Sequence, residues 1–538
     1  MDKNAVLAVV LSFLVLYGYQ SYFVPSAEEP NQIAYKQGET ISSVGETAVG
    51  KSLSLEKTAT ASSVSSPAAT AAPKKQNVGT IEAKKITFSG KKTHVTFSSL
   101  GGGGVESIAL NDYRAELAKE SLPLDRVNIS KGDPLPLSLS FSAATLNIGP
   151  DTVFDVTDST ESSPRFSWTS PEGVTIEKSY ILDPGSYQMK MAVSIKNNSA
   201  EALEGDLAIN LYEQATVEGD MRTFIGISTK IGDEIEKKTF EDIKDEEFSI
   251  EGKPLWFAQE EQYFLSAIIP EESSVKKIVA KKLHGDLIAS ALVYPDISLS
   301  PGEGATFSST FYSGPKDIYL LKDVGAGLEG TINLGWFHAI AEPLLRFLKL
   351  IYSFTGNYGY AIILLTLMIK IVFFPLANKS YKSMKEMQKL QPIMAELREK
   401  YKNDKERMSR EVMELYKKNR VNPLSGCLPM IVQIPVFIAL YNVLMNAIEL
   451  RHAPFHFWIT DMSIKDPYYI TPLIMGATMF LQQKLSPSAP DPTQQKVMMM
   501  MPVIFTFMFM NLPSGLVLYW IVNNVLSITQ QYYIIKKT

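Results

Sequence analysis

The chain has 538 residues, 45% of them hydrophobic, with a formal net charge of −5 and one cysteine, Cys427. This length is too great for one compact domain. The charge gives no reason to expect nucleic acid, so no specific DNA partner is expected, and a lone cysteine excludes an internal disulfide. The chain has two unlike parts, a polar region over residues 25 to about 325 and long apolar runs after residue 335.

The first predicted element is a membrane anchor over residues 1–25. Its apolar run, 5–24, is close to the roughly 20 residues that a helix needs to span hydrocarbon. A cleaved signal peptide is the alternative, but the run is long and no clean small-residue cleavage site follows, which favours an uncleaved anchor. Residues 26–79 are rich in Ser, Ala, Thr, Glu and Pro. They are predicted to be a flexible linker because they cannot bury enough apolar surface.

Residues 80–325 are predicted to form an antiparallel β-sandwich outside the cytoplasm. Short segments such as KKITFSG, THVTFSSL, VTIEKSYIL and YQMKMAVSIKN alternate apolar and polar residues between Gly, Pro, Asn and Asp. A period of two is typical of strands with one buried face. The glycine run 101–104 is interpreted as a loop between strands. It is not a phosphate-binding loop, because no Lys-Ser/Thr pair follows it.

An amphipathic helix is predicted within residues 326–357. It is expected to lie in the membrane interface, because the residues that follow enter the bilayer. Its apolar positions, near helical spacing, are Trp336, Phe337, Ile340, Leu344, Phe347, Leu348 and Ile351.

Further spans are predicted within 358–538, at residues 358–377, 427–448, 468–485, 497–511 and 516–528. With the anchor they give six transmembrane helices, so the predicted fold is a polytopic α-helical membrane protein with a large extracytoplasmic β-sandwich domain. The last two spans are short and joined by a Leu-Pro-Ser-Gly turn, which predicts a tight hairpin. Residues 378–426 carry thirteen Lys or Arg against seven Asp or Glu. The positive-inside rule therefore places this segment and both termini in the cytoplasm.

The cytoplasmic segment 378–426 is predicted to be a helical hairpin with two methionine-rich stripes. Residues 403–406, Asn-Asp-Lys-Glu, are interpreted as a capping box that starts the second helix. The hairpin is either a solvated structure held by its own stripes or a docking surface. In the second case its Met and basic residues contact ribosomal RNA or anionic lipid headgroups.

Lys370 is the most informative residue of the membrane part, because it lies inside the apolar stretch 358–377. A cation at that depth costs about 2.5–3.5 kcal/mol and normally faces protein or water. Thr366 lies one turn earlier on the same helix face. We interpret the polar residues of the spans as lining a wet, cationic groove in the inner leaflet. The alternatives are snorkelling of Lys370 and plain hydrogen bonding between helices. The other polar residues are Gln433, Asn442, Asn446, Asn523, Asn524 and Gln530, with Tyr441, Tyr519 and Trp520.

Catalytic motifs are weak, and no metal, cofactor or catalytic residue is expected. His452 and His456 are four residues apart, but Pro454 lies between them and the HExxH glutamate of zinc proteases is missing. Ser514-Gly515 resembles a serine nucleophile turn, yet no histidine lies in a predicted span to act as its base.

Several stretches resemble the YidC membrane protein insertase family in its Gram-negative form. In the membrane part they are IKIVFFPLANKSYKSMKEMQKLQP, NPLSGCLPMIVQIPVFIALYNVLM, ITDMSIKDPYYITPLIMG and MPVIFTFMFMNLPSGLVLYWIVNN. The polar region contributes WFAQEEQYFLSAIIP at 256–270. The resemblance covers nearly the whole chain and is most specific in its last two hundred residues.

The resemblance implies a periplasmic β-super-sandwich over 80–325 and an insertase core over 358–538 in the bacterial inner membrane. It implies a non-enzymatic insertase and chaperone that inserts, folds and helps assemble membrane proteins through a hydrophilic groove open to cytoplasm and lipid. The implied partners are nascent membrane proteins, the Sec translocon, the ribosome through the cytoplasmic loops, and membrane lipids.

The resemblance also places groove residues. Those at the family's groove positions are Lys370, Thr366, Phe437, Met475 and Trp520, and the polar set adds Gln433, Tyr519 and Asn523 to the expected substrate-binding groove. Two positions depart from the family pattern. Lys370 stands where arginine is usual, which keeps the charge but loses the planar fork that binds a carboxylate through two contacts. Trp520 stands where many relatives have tyrosine, so any role of a hydroxyl is lost there.

Two other functions are compatible with a buried lysine. An ion or solute transporter would show internal repeats with paired broken helices, and this pattern is not visible in the sequence. An intramembrane protease would depend on Ser514.

Overall fold

The computed structural model describes residues 83–118, 120–143, 146–215, 224–272, 274, 276–402, 404–419, 428–485 and 492–537. The predicted anchor 1–25, the predicted linker 26–79 and Cys427 lie outside the described residues.

Antiparallel strands make up the region before residue 316. The first ten are β1 Lys85–Ser89, β2 Thr93–Ser98, β3 Gly104–Arg114, β4 Pro123–Asp125, β5 Leu139–Ala143, β6 Asn147–Ile148, β7 Asp155–Val156, β8 Arg165–Thr169, β9 Val174–Leu182 and β10 Gln188–Asn197. The others are β11 Leu203–Gln214, β12 Gly226–Ile231, β13 Glu234–Thr239, β14 Phe248–Gly252, β15 Pro254–Glu260, β16 Phe264–Pro270, β17 Lys276–Lys282, β18 Leu287–Leu299 and β19 Gly304–Pro315. A short helix, α1 Phe240–Asp245, follows β13.

In the described residues these strands form three sheets, with orders β1-β2-β3-β4, β13-β12-β15-β16-β19-β10-β9-β8-β7 and β14-β17-β18-β11-β5-β6. Every second residue of β9 is buried, as expected for a strand that packs one face on a core. The two larger sheets face each other, with the rings of Tyr294 and Phe307 4.7 Å apart between centroids. The smallest sheet packs on the nine-stranded sheet, where Phe97 lies 4.6 Å from Tyr180. The predicted antiparallel sandwich is confirmed.

Helices make up the rest of the described chain. They are α2 Ile318–Val324, α3 His338–Thr355, α4 Tyr358–Lys389, α5 Gln391–Lys400, α6 Lys405–Lys418, α7 Leu428–Asn446, α8 Ile470–Leu485, α9 Pro492–Phe509 and α10 Ser514–Lys537.

The junction between α3 and α4 is specified by two residues. Gly356 has a φ of +63°, the left-handed conformation in which a glycine commonly ends a helix. The side chain of Asn357 then accepts hydrogen bonds from the amides of Gly359 and Tyr360, which caps the start of α4. The amphipathic helix predicted within residues 326–357 corresponds to α3, which spans His338–Thr355.

Two helices continue beyond the predicted spans, and the first helix of the predicted hairpin is divided. α4 continues to Lys389, and a break at Leu390 separates it from α5, because Pro392 near the start of α5 has no amide hydrogen to donate. The first methionine stripe is therefore divided between two helices. The cap of α6 is Asp404, which accepts from the Arg407 amide; Asn403, the first residue of the predicted capping box, lies outside the described residues. α10 extends to Lys537, well past the predicted end at residue 528.

One helix among the described residues, Tyr358–Lys389, is long and apolar enough to cross a bilayer. Two shorter apolar helices are Val432–Asn446 and Val497–Phe509. α8 and α9 approach each other closely at Gly476, where any side chain larger than hydrogen would collide with Thr506. Small residues at such contacts let helix backbones pack tightly in membranes.

Charged groups join the β-sheet region to the helices. Lys349 of α3 forms two ion pairs. Its Nζ lies 2.8 Å from a carboxylate oxygen of Asp317, which follows β19, and 2.6 Å from one of Glu449, which follows α7. The Arg451 guanidinium donates to the carbonyl oxygens of Arg114 and Ala115 at 3.0 and 3.4 Å. The end of α7 is thereby attached both to α3 and to the sheets.

The sheet region contains a buried cluster of two carboxylates and one guanidinium, named here the Arg126 cluster. Arg126 donates to Glu261 at 2.7 Å, and its own side chain is 3% exposed. Burial raises the pKa of Glu213 well above its ordinary value, and the nearby Glu261 carboxylate raises it further. Burial also disfavours ionisation of Glu261, but the Arg126 charge overcomes it and lowers the pKa of Glu261. Within this cluster, burial therefore favours the protonated form at Glu213, and Arg126 favours the ionised form at Glu261.

Candidate functional site

Lys370 lies on α4 and reaches across to α10. Its Nζ donates a hydrogen bond to the Oγ of Ser527 at 2.8 Å. The Ser527 hydroxyl donates to the carbonyl oxygen of Asn523, one turn earlier on α10, at 2.7 Å. The ammonium group therefore ends on a neighbouring helix and does not extend along α4. This contact argues against the snorkelling alternative.

Amide side chains continue the polar contacts from α10 to α7. Gln433 donates from Nε2 to the Oδ1 of Asn523 at 2.7 Å. The hydroxyl of Tyr519, which is 1% exposed, hydrogen-bonds Gln433. A polar group that is buried in an apolar environment without a hydrogen-bond partner destabilises the fold. The contacts that run from Lys370 through Asn523 to Gln433 therefore fix where α4, α7 and α10 meet.

Trp520 lies in an aromatic cluster beside these polar groups. Its ring centroid is 4.6 Å from that of Phe437 and 4.8 Å from that of Phe509, both in edge-to-face arrangements. Phe505 stacks on it at 6.0 Å. Aromatic pairs contribute about 0.5–1.5 kcal/mol each beyond their buried area. The indole thus joins α7, α9 and α10 by packing.

The predicted groove residues fall into two groups. Five of them are partly exposed and are together named here the polar–aromatic surface: Lys370, Gln433, Phe437, Trp520 and Asn523. Thr366, Met475 and Tyr519 lie behind it and are 1%, 0% and 1% exposed. The Thr366 hydroxyl donates to the Ile362 carbonyl of its own helix at 2.6 Å. These three residues support the surface and do not face solvent.

Helix packing around the polar–aromatic surface is uneven. α10 packs along both α4 and α8, whereas α7 packs mainly against α3 and only lightly against α4 and α10. Two hydrogen bonds attach the end of α7 to residues before α3. Asn442 donates to the Leu334 carbonyl at 3.2 Å, and Gln262 donates to the Met445 carbonyl at 3.3 Å. The half of α7 that carries Gln433 is farther from those attachments.

Two residues that the sequence reasoning missed take part in the site. Ser527 is the hydrogen-bond partner of Lys370, and Tyr381 also hydrogen-bonds Ser527. The available signal was spacing: Ser527 follows Asn523 by four residues and therefore lies on the same face of α10. A serine within a helix carries no signature of its own.

A loop over residues 451–469 fixes the hairpin formed by α9 and α10. The amides of Ser514 and Gly515 donate to the carbonyl oxygens of Ile464 and Met462 at 2.8 and 3.0 Å. The first amides of a helix have no partner within it, so the loop satisfies the exposed start of α10. The hydroxyl of Ser514 also donates to the Ile464 carbonyl, at 2.9 Å.

Asp466 organises this loop. It is fully buried, and its Oδ1 accepts from the Trp458 indole at 3.0 Å and the Tyr468 amide at 2.9 Å. Its Oδ2 accepts from the amide and hydroxyl of Thr471 at 2.7 and 2.8 Å. Burial alone would raise the pKa of Asp466, but these hydrogen bonds lower it. The carboxylate thus ties the loop to the start of α8.

Asp466→Ala is expected to release the start of α10. The substitution leaves the buried Trp458 and Thr471 donors without an acceptor, at a cost of about 1–3 kcal/mol for each buried group. Hydrogen exchange of the Ser514 and Gly515 amides should accelerate by tenfold or more. Asp461→Ala is the matched control, because Asp461 bonds only Ser463 within the loop. Unchanged exchange in Asp466→Ala would show that the loop does not depend on this carboxylate.

The structure also bears on the catalytic alternatives. Ser514 directs its hydroxyl to a backbone carbonyl, and the His456 ring hydrogen-bonds Tyr360 at 2.7 Å. Both side chains have structural partners. In the described residues, no group of three or more His, Cys, Asp or Glu could hold a metal ion.

Comparisons with known proteins agree over the whole chain. Residues 85–347 match the family model described as the YidC periplasmic domain, and residues 350–538 match the model described as 60Kd inner membrane protein. A "Membrane protein insertase YidC" of Syntrophus aciditrophicus is 43% identical over an aligned length of 548 residues, and the match covers 100% of each chain. The protein of the same name in Geotalea daltonii is 41% identical over 545 residues, covering 100% of this chain and 99% of the relative.

Among solved structures, the one titled "Active YidC insertase crystal structure with the first transmembrane domain resolved" is similar to the chain. The TM-score is 0.37 at 18% sequence identity, and the match covers 84% of this chain and 92% of that chain.

Proposed function

The chain belongs to the YidC family of membrane protein insertases, and we propose that it inserts nascent membrane proteins along the polar–aromatic surface. It is an insertase with a periplasmic β domain and is not an enzyme. The family inferred from the sequence motifs is thereby confirmed. The proposal concerns how these particular residues carry out insertion.

The observation that carries the proposal is the contact of Lys370 with neutral groups alone. Among the described residues, no carboxylate lies within ion-pair distance of its ammonium group, which ends on the Ser527 hydroxyl. An ammonium group without a counter-ion attracts water or an acidic side chain. A wet, cationic surface lowers the cost of bringing the polar stretches of another chain to membrane depth. Phe437 and Trp520 offer apolar contact to the rest of an incoming helix.

The packing of α7 supports an opening beside this surface. α7 is attached near the sheet region and packs only lightly on α4 and α10. An incoming segment therefore has to separate few contacts to enter beside Gln433. On this proposal, Thr366, Met475 and Tyr519 become accessible only when the helices around them separate, since all three are buried.

The proposed topology has six spans, with residues 5–24 as the first and α4, α7, α8, α9 and α10 as the others. Both termini and the 378–426 hairpin lie in the cytoplasm. α3 lies in the outer interface, which is supported by the large apolar residues that it and its start expose. These are Trp336, Phe347, Leu350 and Phe354.

The cytoplasmic hairpin is proposed as the contact site for the ribosome and the Sec translocon as an insertion partner. α5 and α6 share a small core, in which the Tyr416 hydroxyl donates to the Met394 sulfur at 3.0 Å. The hairpin therefore holds together without a partner. Ile393 and Met413 remain 42% and 50% exposed among basic residues, a combination suited to RNA and adaptable apolar contact.

Photocrosslinking to a stalled nascent membrane protein tests the proposal. Probes placed at Gln433 and Trp520 should crosslink the nascent chain. A probe at Val372, which is 68% exposed on α4, is the matched control and should crosslink lipid. Equal crosslinking of the nascent chain from all three positions would reject the polar–aromatic surface as the route.

Water accessibility gives an independent test in a Cys427→Ser background, which removes the single native cysteine. A cysteine at Asn523 should react with a membrane-impermeant thiol reagent supplied from the cytoplasmic side, whereas one at Val372 should not. A dry Asn523 position would contradict the groove even if insertion itself were normal.

A further inference from the structure

We infer that Ser527 is a specificity-determining residue: it holds the Lys370 ammonium group against α10, and a substrate carboxylate must displace it. This inference rests on the proposed function of the polar–aromatic surface and adds a competition within it. An acidic segment can displace Ser527 from the Lys370 ammonium group, and a neutral segment cannot.

The hydrogen bonds of Ser527 dictate its role toward Lys370. A serine hydroxyl has one hydrogen to donate and two lone pairs to accept with. Its hydrogen is directed to the Asn523 carbonyl at 2.7 Å. Ser527 therefore faces Lys370 as an acceptor at 2.8 Å. Tyr381 also hydrogen-bonds Ser527, which adds a second contact that fixes the position of this side chain. The oxygen is thus oriented before any substrate arrives.

A neutral hydroxyl is a weak partner for an ammonium group. The Lys370–Ser527 hydrogen bond is charge-assisted through its donor alone, whereas a carboxylate acceptor adds the attraction between two opposite charges. In the described residues of α4, α7, α8 and α10, no carboxylate offers Lys370 that stronger partner. A substrate Asp or Glu that reaches the surface exchanges a neutral acceptor for a charged one, while a substrate Asn exchanges one neutral acceptor for another. Ser527 thereby sets the threshold that separates acidic from neutral segments.

Removing the competing acceptor should strengthen the binding of acidic segments. Ser527→Ala leaves the Lys370 ammonium group without its acceptor on α10, and an incoming carboxylate then displaces nothing. We expect the Kd of an acidic peptide to fall about tenfold, and that of a peptide with no side-chain acceptor in the same segment to stay within about twofold. Tenfold corresponds to about 1.4 kcal/mol.

The experiment uses the full-length protein in lipid vesicles and two fluorescent single-span peptides. The peptides are identical except that one carries two Asp residues in the translocated segment and the other two Ala residues, which offer Lys370 no side-chain acceptor. The quantity measured is the ratio of their Kd values. A purely structural role of Ser527 would shift both peptides together and leave the ratio unchanged.

Two variants serve as controls. Ser527→Thr keeps a hydroxyl that can bond the same carbonyl, and it should restore the wild-type ratio. Thr529→Ala removes a hydroxyl two residues further along α10. That hydroxyl donates to the Val525 carbonyl at 2.8 Å and is exposed, so its loss should leave the ratio at the wild-type value.

The outcomes separate this inference from the function on which it rests. A wild-type ratio in Ser527→Ala overturns the inference, as does a shift of equal size for both peptides. Lys370→Ala in the same assay addresses the proposed function: a lost Asp preference supports the cationic surface even when Ser527 has no effect. An Asp preference that survives in Lys370→Ala rejects the surface itself.

Discussion

Lys370→Ala is expected to reduce the insertion of substrates with acidic translocated segments by about tenfold or more, whereas Lys370→Arg retains it. The ammonium group is the charge that the polar–aromatic surface presents, and alanine removes it together with its contact to Ser527. A tenfold loss corresponds to about 1.4 kcal/mol, a modest share of what an ion pair gives in a partly dry site. Arginine keeps the charge and adds a planar fork that can bind a carboxylate through two contacts.

The measurement is insertion of a substrate pair that differs only in Asp against Asn within the translocated segment, in cells depleted of the wild-type protein. Lys379→Ala is the matched control, because it removes an exposed positive charge from the same helix, α4, outside the surface. The Asn substrate should be much less affected than the Asp substrate. If Lys370→Ala inserts both substrates as well as wild type, the charge is dispensable and shape or hydration carries the function.

Arg126→Met is expected to destabilise the β domain by about 3–5 kcal/mol, the usual cost of removing one partner of a buried ion pair. Methionine fills similar volume but leaves Glu261 without the guanidinium at 2.7 Å. Of the charges that act on Glu261, the Arg451 guanidinium then remains to offset its burial, and it forms no ion pair with Glu261 among the described contacts. No comparable loss is expected for Glu213→Gln, because burial already favours the protonated, neutral form of Glu213.

The pH dependence of the Arg126→Met variant follows from the same cluster. Without the guanidinium, burial raises the pKa of Glu261 above its unfolded value. A carboxyl group with a raised folded-state pKa adds stability at low pH, and this stability is lost as the pH rises through that pKa. The variant should therefore recover stability between pH 8 and pH 5, as unfolding followed by tryptophan fluorescence can measure. A defect that is equal at both pH values would indicate lost packing alone.

The strands could be predicted because each carries its own pattern. β9 and β10 bury alternate residues, and that alternation is visible in the sequence without knowledge of any partner. Lys370 could be singled out for a similar local reason, since a cation among apolar residues is conspicuous. The partner of Lys370 could not be found, because Ser527 lies 157 residues away and nothing local marks it.

Helix ends were harder to predict than helix existence. Hydropathy marks where a chain leaves hydrocarbon, but α4 and α10 continue as helices through polar residues beyond that point. Lys, Met and Gln are good helix formers, so leaving the apolar run does not end the helix. Proline did end one: Pro392 explains the division between α4 and α5. The burial of Thr366 and Met475 depends on how α8 and α10 pack, which no single segment reveals.

The three charges at Lys349 have a mechanical consequence. One ammonium group holds both Asp317, at the exit of the β domain, and Glu449, at the end of α7. A displacement of the β domain therefore acts on α3 and on the end of α7 together. Because α7 packs only lightly on α4 and α10, we expect such a displacement to change the spacing of these helices near Gln433.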